Sequence, residues 1–461
     1  MSTSLVKKSH LIYCVIIFLS VTACKKETSS PREHEQQSPT TASNEQSNGH
    51  LKQAKTFTSE VAVKWMDMQL RQIKANPTVM ANVAFCRAYA YCGIALYESI
   101  VDGMPSYQSV ASQLNGLSGL PKTMPGLAYN WAVAANAALA YMNKGFFPLA
   151  TTANKAAMDS LEQALNASYN IDADAAVISR STEFGKAIAK KVFDWAETDG
   201  YLQINDAYTP LPALTGPAFW VPPPTPSIQS APYWGNVRRL VPGSGASAQA
   251  GPPPAYSTDP GSEFYKMVKE VYDLSPLPGS EQQSMALFWR DVPGTSTPGH
   301  YVSILKQVLE SDKPSLDVAA LAYALGGIMV FDASISTWQT KYTYNLVRPI
   351  TYVRNVLGHT TWSPFLGTPP HPEYPSGHAS LSAANAEALT IVFGNDHSFV
   401  DHTFDYLGFA SRSYNSFRDA GEEAGISRLY AGIHYRISID VGLWQGRKVA
   451  GNILGSLKFS K

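Results

Sequence analysis

The run LDVAALAYALGGIMVFDASISTWQTKYTYNLVRP, Leu316 to Pro349, decides how the rest of the chain is read. Apolar and small residues recur at helical spacing along most of it, and strand-like alternation is scarce. A helix this apolar belongs in a core rather than on a surface. Near its end stand two cations, Lys341 and Arg348, seven residues apart. That spacing puts them on one face of a helix, about two turns from each other. Pro349 then stops the helix. Two cations on one face of a buried helix need an anion. An Asp or Glu elsewhere in the chain would serve, and so would a bound oxyanion. The run alone leaves both open.

Outward from this run the pattern stays helical. EVAVKWMDMQLRQIK (Glu60–Lys74), CRAYAYCGIALYES (Cys86–Ser99), GLAYNWAVAANAALAYMNK (Gly126–Lys144), AAMDSLEQALN (Ala156–Asn166) and STEFGKAIAKKVFDWAE (Ser181–Glu197) all carry apolar residues at helical spacing. The expected class is therefore all-α. Between about Tyr208 and Gly261 the pattern breaks. VPPPTPSIQSAPYWGNVRR and PGSGASAQAGPPPAYSTDPGS cannot be long helices. So long a connection in a compact domain is a functional rim or lid, or else disordered. No period marks a repeat array.

Composition bounds the function classes. The chain has 461 residues, 45% hydrophobic and 16% charged, enough for a sizeable core and against global disorder. Lys+Arg and Asp+Glu both number 36. A net charge of zero speaks against general capture of nucleic acid or anionic membranes, so any cationic site is local.

The N-terminus reads as a leader. MSTSLVKKSH is basic, and LIYCVIIFLSV is apolar but too short to span a bilayer. It ends in VTAC, Val21–Cys24, which resembles a bacterial lipobox. That reading makes Cys24 the lipidated first residue of an exported, lipid-anchored protein, whose only membrane contact is the lipid. A plain signal peptide with a chance cysteine is the alternative. Residues 25–56 read as a polar tether and 57–461 as the folded domain. Cys86 and Cys92, six apart on one helix, point to different faces and predict no mutual disulfide. No zinc pattern occurs.

Two further segments collect unusual residues. In HPEYPSGHAS (His371–Ser380), Ser376 is a good N-cap for the alanine-rich run that follows. The first amides of that helix, including Gly377, favour an anion, and His378 stands beside them as a proton carrier. Alone, the segment equally fits an ordinary capped helix. In SRLYAGIHYRISID (Ser427–Asp440), Gly432 suggests a helix end between Arg428 and His434, after which His434 can turn back. Together the three segments assemble Lys341, Arg348, Arg428, Ser376, Gly377, His378 and His434. Three cations, a helix N-terminus, a hydroxyl and two imidazoles suit a tetrahedral oxyanion.

K-x6-RP, PSGH and SR-x5-H, present in this order, resemble the three motifs of the superfamily of type 2 phosphatidic acid phosphatases and vanadium-dependent haloperoxidases. FWRDVPGTSTPGHY (Phe288–Tyr301), FDASISTWQTKYTYNLVRP, CRAYAYCGIALYES and PYWGNVRR are similar to haloperoxidase segments, so the likeness covers most of the chain after the tether. The resemblance implies two four-helix bundles, vanadate as cofactor, and oxidation of iodide or bromide by hydrogen peroxide to hypohalous acid, with an organic halogen acceptor as a further possible partner. It implies His434 as the metal ligand and Lys341, Arg348, Arg428, Ser376 and Gly377 around the oxygens. His378 would be the acid–base, and Lys341 would polarise bound peroxide. Asp291 matches an aspartate that pairs with the second arginine, here Arg428. His371 occupies a position that bears on halide choice. Trp338, Tyr344 and His300 are further rim candidates.

One departure stands out. The phosphatases carry Asp four residues after the last histidine; here that residue is Ser438, and the nearest acid is Asp440. This weighs against the second reading, an acid phosphatase working through a phosphohistidine. A third reading, a lipoprotein with a relict oxyanion pocket, sits badly with an intact set of seven residues.

Overall fold

The computed structural model describes residues 52–75, 82–170, 174–222, 231–291 and 296–461. The leader, Cys24 and the tether through residue 51 lie outside the described residues. The Lys52 carbonyl accepts the Trp131 indole N–H at 2.8 Å.

The described residues are helical apart from short turns, loops and one two-stranded hairpin. A first group comprises α1 (Glu60–Ala75), α2 (Phe85–Ile100), α3 (Trp131–Phe146), α4 (Thr152–Tyr169) and α5 (Ala175–Ala196). Helix α3 packs on the other four. The side chains of Asn130, Thr151 and Asp174 cap α3, α4 and α5, each cap contributing about 1 kcal/mol. Three connecting helices follow: α6 (Glu263–Asp273), α7 (Glu281–Phe288) and α8 (Thr297–Asp312). The second group is α9 (Leu316–Tyr344), the short α10 (Pro349–Asn355), α11 (Gly377–Phe393), α12 (Phe417–Tyr430) and α13 (Arg436–Ser456). Helix α11 packs on α9, α12 and α13, and so forms the middle of this bundle. Between α11 and α12, β1 (Phe399–Asp401) pairs antiparallel with β2 (Arg412–Tyr414), Phe399 opposite Tyr414.

The two groups meet where α2 crosses α9. Every residue of α2 is buried. A Cβ on Gly93 would stand 2.5 Å from the Tyr323 carbonyl oxygen, and one on Gly327 would stand 2.6 Å from the Ala90 Cα. The backbones touch at this crossing, and only glycine permits it. Helix α9 is long and apolar enough to cross a bilayer by composition, but it is enclosed by protein and serves as the core shared by both groups. Cys86 and Cys92 are buried and unbridged.

The proline-rich connection is a strap rather than a mobile rim along its described parts. Trp220 N donates to Asn345 O (2.7 Å) and Val347 N to Ala218 O (3.0 Å). Further on, the amides of Leu240 and Val241 are held by the buried Asp332 carboxylate at 2.7 and 3.0 Å. Tyr344 and Tyr374 donate to the carbonyls of Ala250 and Gly251. The strap thus satisfies backbone polar groups partly through a single antiparallel bridge, Phe219 opposite Leu346, and partly on side chains of the second bundle. Residues 223–230 lie outside the described residues.

Candidate functional site

Lys341 and Arg348 do not share a helix. Helix α9 ends at Tyr344, and Asn345 takes the left-handed conformation (φ 46°, ψ 39°). Arg348 becomes the residue that opens α10. The sequence spacing assumed an unbroken helix; the turn at Asn345, pinned by the strap, replaces it. Both side chains still point inward, at 0% and 1% exposure.

Lys341 Nζ donates to three backbone carbonyls of the loop before α11: Pro372 (3.0 Å), Glu373 (3.0 Å) and Pro375 (2.5 Å). Arg348 donates through Nε to the His371 carbonyl (2.9 Å) and through Nη1 to that of Ile433 (2.9 Å). Arg428, in the last turn of α12 and 2% exposed, donates to Ser427 Oγ (2.9 Å) and the Ala286 carbonyl (3.1 Å). Among the described residues, no carboxylate lies within 4.0 Å of any of the three. Burial therefore acts unopposed by a close counter-ion. It lowers the Lys341 ammonium well below its usual range, with Arg348 adding repulsion against the pull of Glu373. It brings both arginines down to about 10, against attraction from Glu373 and Asp291 respectively. Buried cations held by neutral acceptors are stabilised further by an anion placed among them.

The N-terminus of α11 faces this cluster. Ser376 caps it, and its Oγ accepts from Ala379 N at 3.4 Å, which leaves the hydroxyl proton to donate elsewhere. The first intrahelical bond is Ser380 N to Ser376 O, so the Gly377 and His378 amides precede it and aim at the site. Ser376 N is tied to the Ser438 carbonyl at 2.8 Å, which fixes the helix start against α13.

His434 reaches the site as the sequence predicts. Helix α12 ends at Tyr430, and Gly432 turns the chain with φ +76°. The Nδ1 atom of His434 lies 2.7 Å from Glu373 Oε1, which also accepts from Tyr435 N at 2.9 Å. Ser438 Oγ donates to Glu373 Oε2 at 2.6 Å. With Glu373 ionised, its carboxylate only accepts, so Nδ1 carries the proton and Nε2 presents its lone pair. Nε2 lies 3.4 Å from Arg348 Nη1, on the cationic side. Burial, then Arg348 and Lys341, hold this imidazole well below its usual range. Burial pushes Glu373 up to about 7, against Arg348, Ser438, Lys341 and the Tyr435 amide.

Glu373 is the residue that sequence reasoning missed. A buried acid between Pro372 and Tyr374, beside a histidine motif lacking its aspartate, was the available signal. The departure at Ser438 is also corrected. The carboxylate is not lost; it comes from the other loop, and Ser438 holds it.

His378 stands at the start of α11. Its Nε2 lies 3.2 Å from Thr297 Oγ1, and Thr297 donates to Asp291 Oδ1 at 2.7 Å. Burial and Arg428 push this imidazole well below the usual range, against a bond to the Trp289 backbone. Asp291 does not pair with Arg428 within 4.0 Å; it reaches His378 instead, at 3.9 Å directly and through Thr297. Thr297, the N-terminal residue of α8, was not foreseen. His371 Nδ1 lies 3.0 Å from Arg348 Nη2, and its ring is 5.3 Å from that of Trp338. The other rim candidates are structural. Tyr344 holds the strap, and His300 pairs with buried Asp401 at 2.6 Å while stacking on Trp289.

A large surface cleft of about 920 Å³ lies elsewhere, along α8 and the hairpin. Several of its charges are paired, as in Lys306–Asp67, His397–Asp312 and His402–Asp405, and Lys74 Nζ stands over the Tyr406 ring.

Comparison with known proteins agrees with this geometry. Residues 322–459, which contain α11, α12, α13 and most of α9, match the family model described as the VCPO second helical-bundle domain. Comparison with curated protein sequences gives no match. Among solved structures, the chain is similar to the first bacterial vanadium-dependent iodoperoxidase, with 32% identity and a TM-score of 0.78, covering 88% of this chain and 98% of that one. A holo-type bacterial vanadium-dependent chloroperoxidase shares the fold at 18% identity and a TM-score of 0.59, covering 82% of this chain and 93% of that one. The chain belongs to the vanadium-dependent haloperoxidase family.

Proposed function

We propose that the protein is a vanadate-dependent haloperoxidase that oxidises iodide or bromide with hydrogen peroxide. The overall reaction consumes one halide, one peroxide and one proton, and yields hypohalous acid and water. The observation that carries this reading is the meeting of three buried cations, none with a close carboxylate among the described residues, around the start of α11 and the Nε2 of His434. The donor set fits a tetrahedral oxyanion that bears a metal. Lys341, Arg348, Arg428, the Ser376 hydroxyl and the Gly377 amide are all donors and would hold its oxygens. The His434 Nε2 lone pair would face the metal.

Vanadate, the cofactor of this family, supplies a Lewis-acid centre that activates peroxide. The chain's own groups do the rest. His378, held neutral by burial and Arg428, takes a proton from incoming peroxide and later returns it. Thr297 and Asp291 orient its ring. Lys341 concentrates positive charge where negative charge develops. His371 Nδ1 lies between the Arg348 guanidinium (3.0 Å) and the Pro372 carbonyl (3.2 Å), and in the tautomer that Arg348 favours its Nε2–H can solvate a halide. The likeness to an iodoperoxidase supports the softer halides. The leader supports export and anchoring through a lipid on Cys24, with peroxide, halide and an organic halogen acceptor met outside the cytoplasm.

A second reading gains from Glu373. A carboxylate on His434 Nδ1 is what a phosphohistidine mechanism needs. In that reading Nε2 attacks phosphorus, the ester bond breaks as His378 protonates the departing alcohol, and water then cleaves the phosphohistidine. One assay separates the two. Metal-free protein is supplied with orthovanadate and tested for triiodide formation from iodide and peroxide, beside hydrolysis of p-nitrophenyl phosphate. Vanadate-dependent triiodide supports the first reading. Phosphatase activity inhibited by vanadate, with no halide oxidation, overturns it.

A further inference from the structure

We infer that Glu373, steadied by Ser438, is the positioning residue that fixes His434 as an Nε2 donor, standing in space where the related phosphatases place an aspartate in sequence. The inference rests on the oxyanion reading of the site. Three observations carry it. Glu373 is fully buried, and both its oxygens are committed: Oε1 to His434 Nδ1 (2.7 Å) and Tyr435 N (2.9 Å), Oε2 to Ser438 Oγ (2.6 Å). Its backbone carbonyl accepts from Lys341 Nζ at 3.0 Å, so the same residue ties the lysine to the loop. Ser438 sits one turn into α13, four residues after His434, at the position the aspartate would occupy. The carboxylate and the hydroxyl have exchanged places across the contact.

The consequence for His434 is specific. A neutral imidazole offers either nitrogen as its lone pair. The carboxylate keeps the proton on Nδ1 and makes Nε2 the better donor, as carboxylate partners of metal-bound histidines do. Simple electrostatics predicts the opposite outcome for a variant. Removing a negative charge among three cations strengthens binding of every anion. The two effects separate with two tetrahedral anions. Sulfate binds through hydrogen bonds and charge alone, whereas vanadate also bonds to Nε2.

The test compares the full chain with Glu373→Gln, Ser438→Ala and the double variant Glu373→Gln/Ser438→Asp. Equilibrium binding of orthovanadate and of sulfate is measured on metal-free protein. The His434 tautomer is read from nitrogen chemical shifts of histidine-labelled protein. Glu373→Gln is expected to weaken vanadate about 10- to 100-fold, the usual loss for such a partner, while sulfate stays equal or tightens. His434 is expected to leave the pure Nδ1–H form. The double variant, with a carboxylate restored from the other side of the contact, is expected to recover most of the vanadate affinity and the Nδ1–H tautomer. Ser438→Ala keeps the fold should the glutamate variant lose it, and is expected to show the same pattern in weaker form. Parallel losses for both anions, or an unchanged tautomer in every variant, overturn the inference. Failure of the wild type to bind vanadate overturns the oxyanion reading instead, and the tautomer still decides the role of Glu373.

Discussion

Arg348 Nη2 donates to His371 Nδ1 across 3.0 Å. A guanidinium only donates, but the same Nδ1 also lies 3.2 Å from the Pro372 carbonyl, which only accepts, so the two neighbours favour opposite tautomers. In the tautomer that Arg348 favours, Nε2–H of His371 is a donor beside the cationic cluster. Bromide has the higher charge density and accepts hydrogen bonds more strongly than iodide. His371→Ala is therefore expected to lower kcat/KM for bromide more than for iodide. The ratio of the two, measured on one preparation, checks this; an unchanged ratio removes His371 from halide choice.

Thr297 links the acid–base to a carboxylate. Its single hydroxyl proton goes to Asp291, and its oxygen lies 3.2 Å from His378 Nε2. Thr297→Val keeps the shape and removes both bonds. Full loss of an acid–base group costs about 10²–10⁴-fold, so loss of its orienting partner alone is expected to cost roughly 10-fold in kcat. Vanadate affinity is expected to stay near wild type. A parallel fall in affinity would make Thr297 a structural residue of the site.

Acid is expected to destabilise the vanadate-free protein. Burial is the first cause holding His371, His378 and His434 below their ordinary range, and neighbouring cations add to it. In the unfolded chain each titrates near 6.5. Below about pH 6.5 the unfolded chain therefore binds more protons than the folded one, and stability rises with pH. The contribution of these histidines is complete above the unfolded value and is lost as pH falls toward the folded ones. Glu373, raised to about 7, acts in the opposite direction, as do Glu98 and Asp332, both raised to about 6, whereas Lys341, held well below its usual range by burial, acts with the histidines. Thermal melts at pH 8 and pH 5.5 are expected to show a lower Tm in acid. Orthovanadate is expected to raise Tm, by mass action worth about 2.7 kcal/mol at 100 times its Kd. A Tm indifferent to both would contradict the account of the buried charges.

The crossing of α2 and α9 is expected to tolerate no side chain. Gly93→Ala places a methyl 2.5 Å from the Tyr323 carbonyl oxygen, in backbone that has nowhere to go. Overpacking of this kind costs about 1–3 kcal/mol or more. Denaturant unfolding measures it. A variant as stable as wild type would mean the two bundles can slide apart at their junction.

Much of this was legible in the sequence, and the misses have physical causes. Helical periodicity found the helices because most carry one buried stripe, and α9 stood out because it is buried all round. The cluster of Lys341, Arg348, Ser376, Gly377, His378, Arg428 and His434 followed from motifs of unusual residues. What periodicity could not carry was the turn at Asn345, because the strap that stabilises it lies more than a hundred residues earlier in the chain. Glu373 was hidden for a related reason. It serves His434 from 61 residues away, so no local spacing pairs them. Asp291 was paired with the wrong partner because the intervening Thr297 is an ordinary helix-start residue in sequence.

The central claim is that His434 Nε2 holds the vanadium among the three buried cations. The most direct measurement is equilibrium retention of vanadate by the wild type and by His434→Ala, with iodide oxidation followed on the same samples. Retention of one vanadate per chain by the wild type, with loss of both retention and iodide oxidation in the variant, is the predicted result. A variant that retains vanadate and oxidises iodide at the wild-type rate would contradict it.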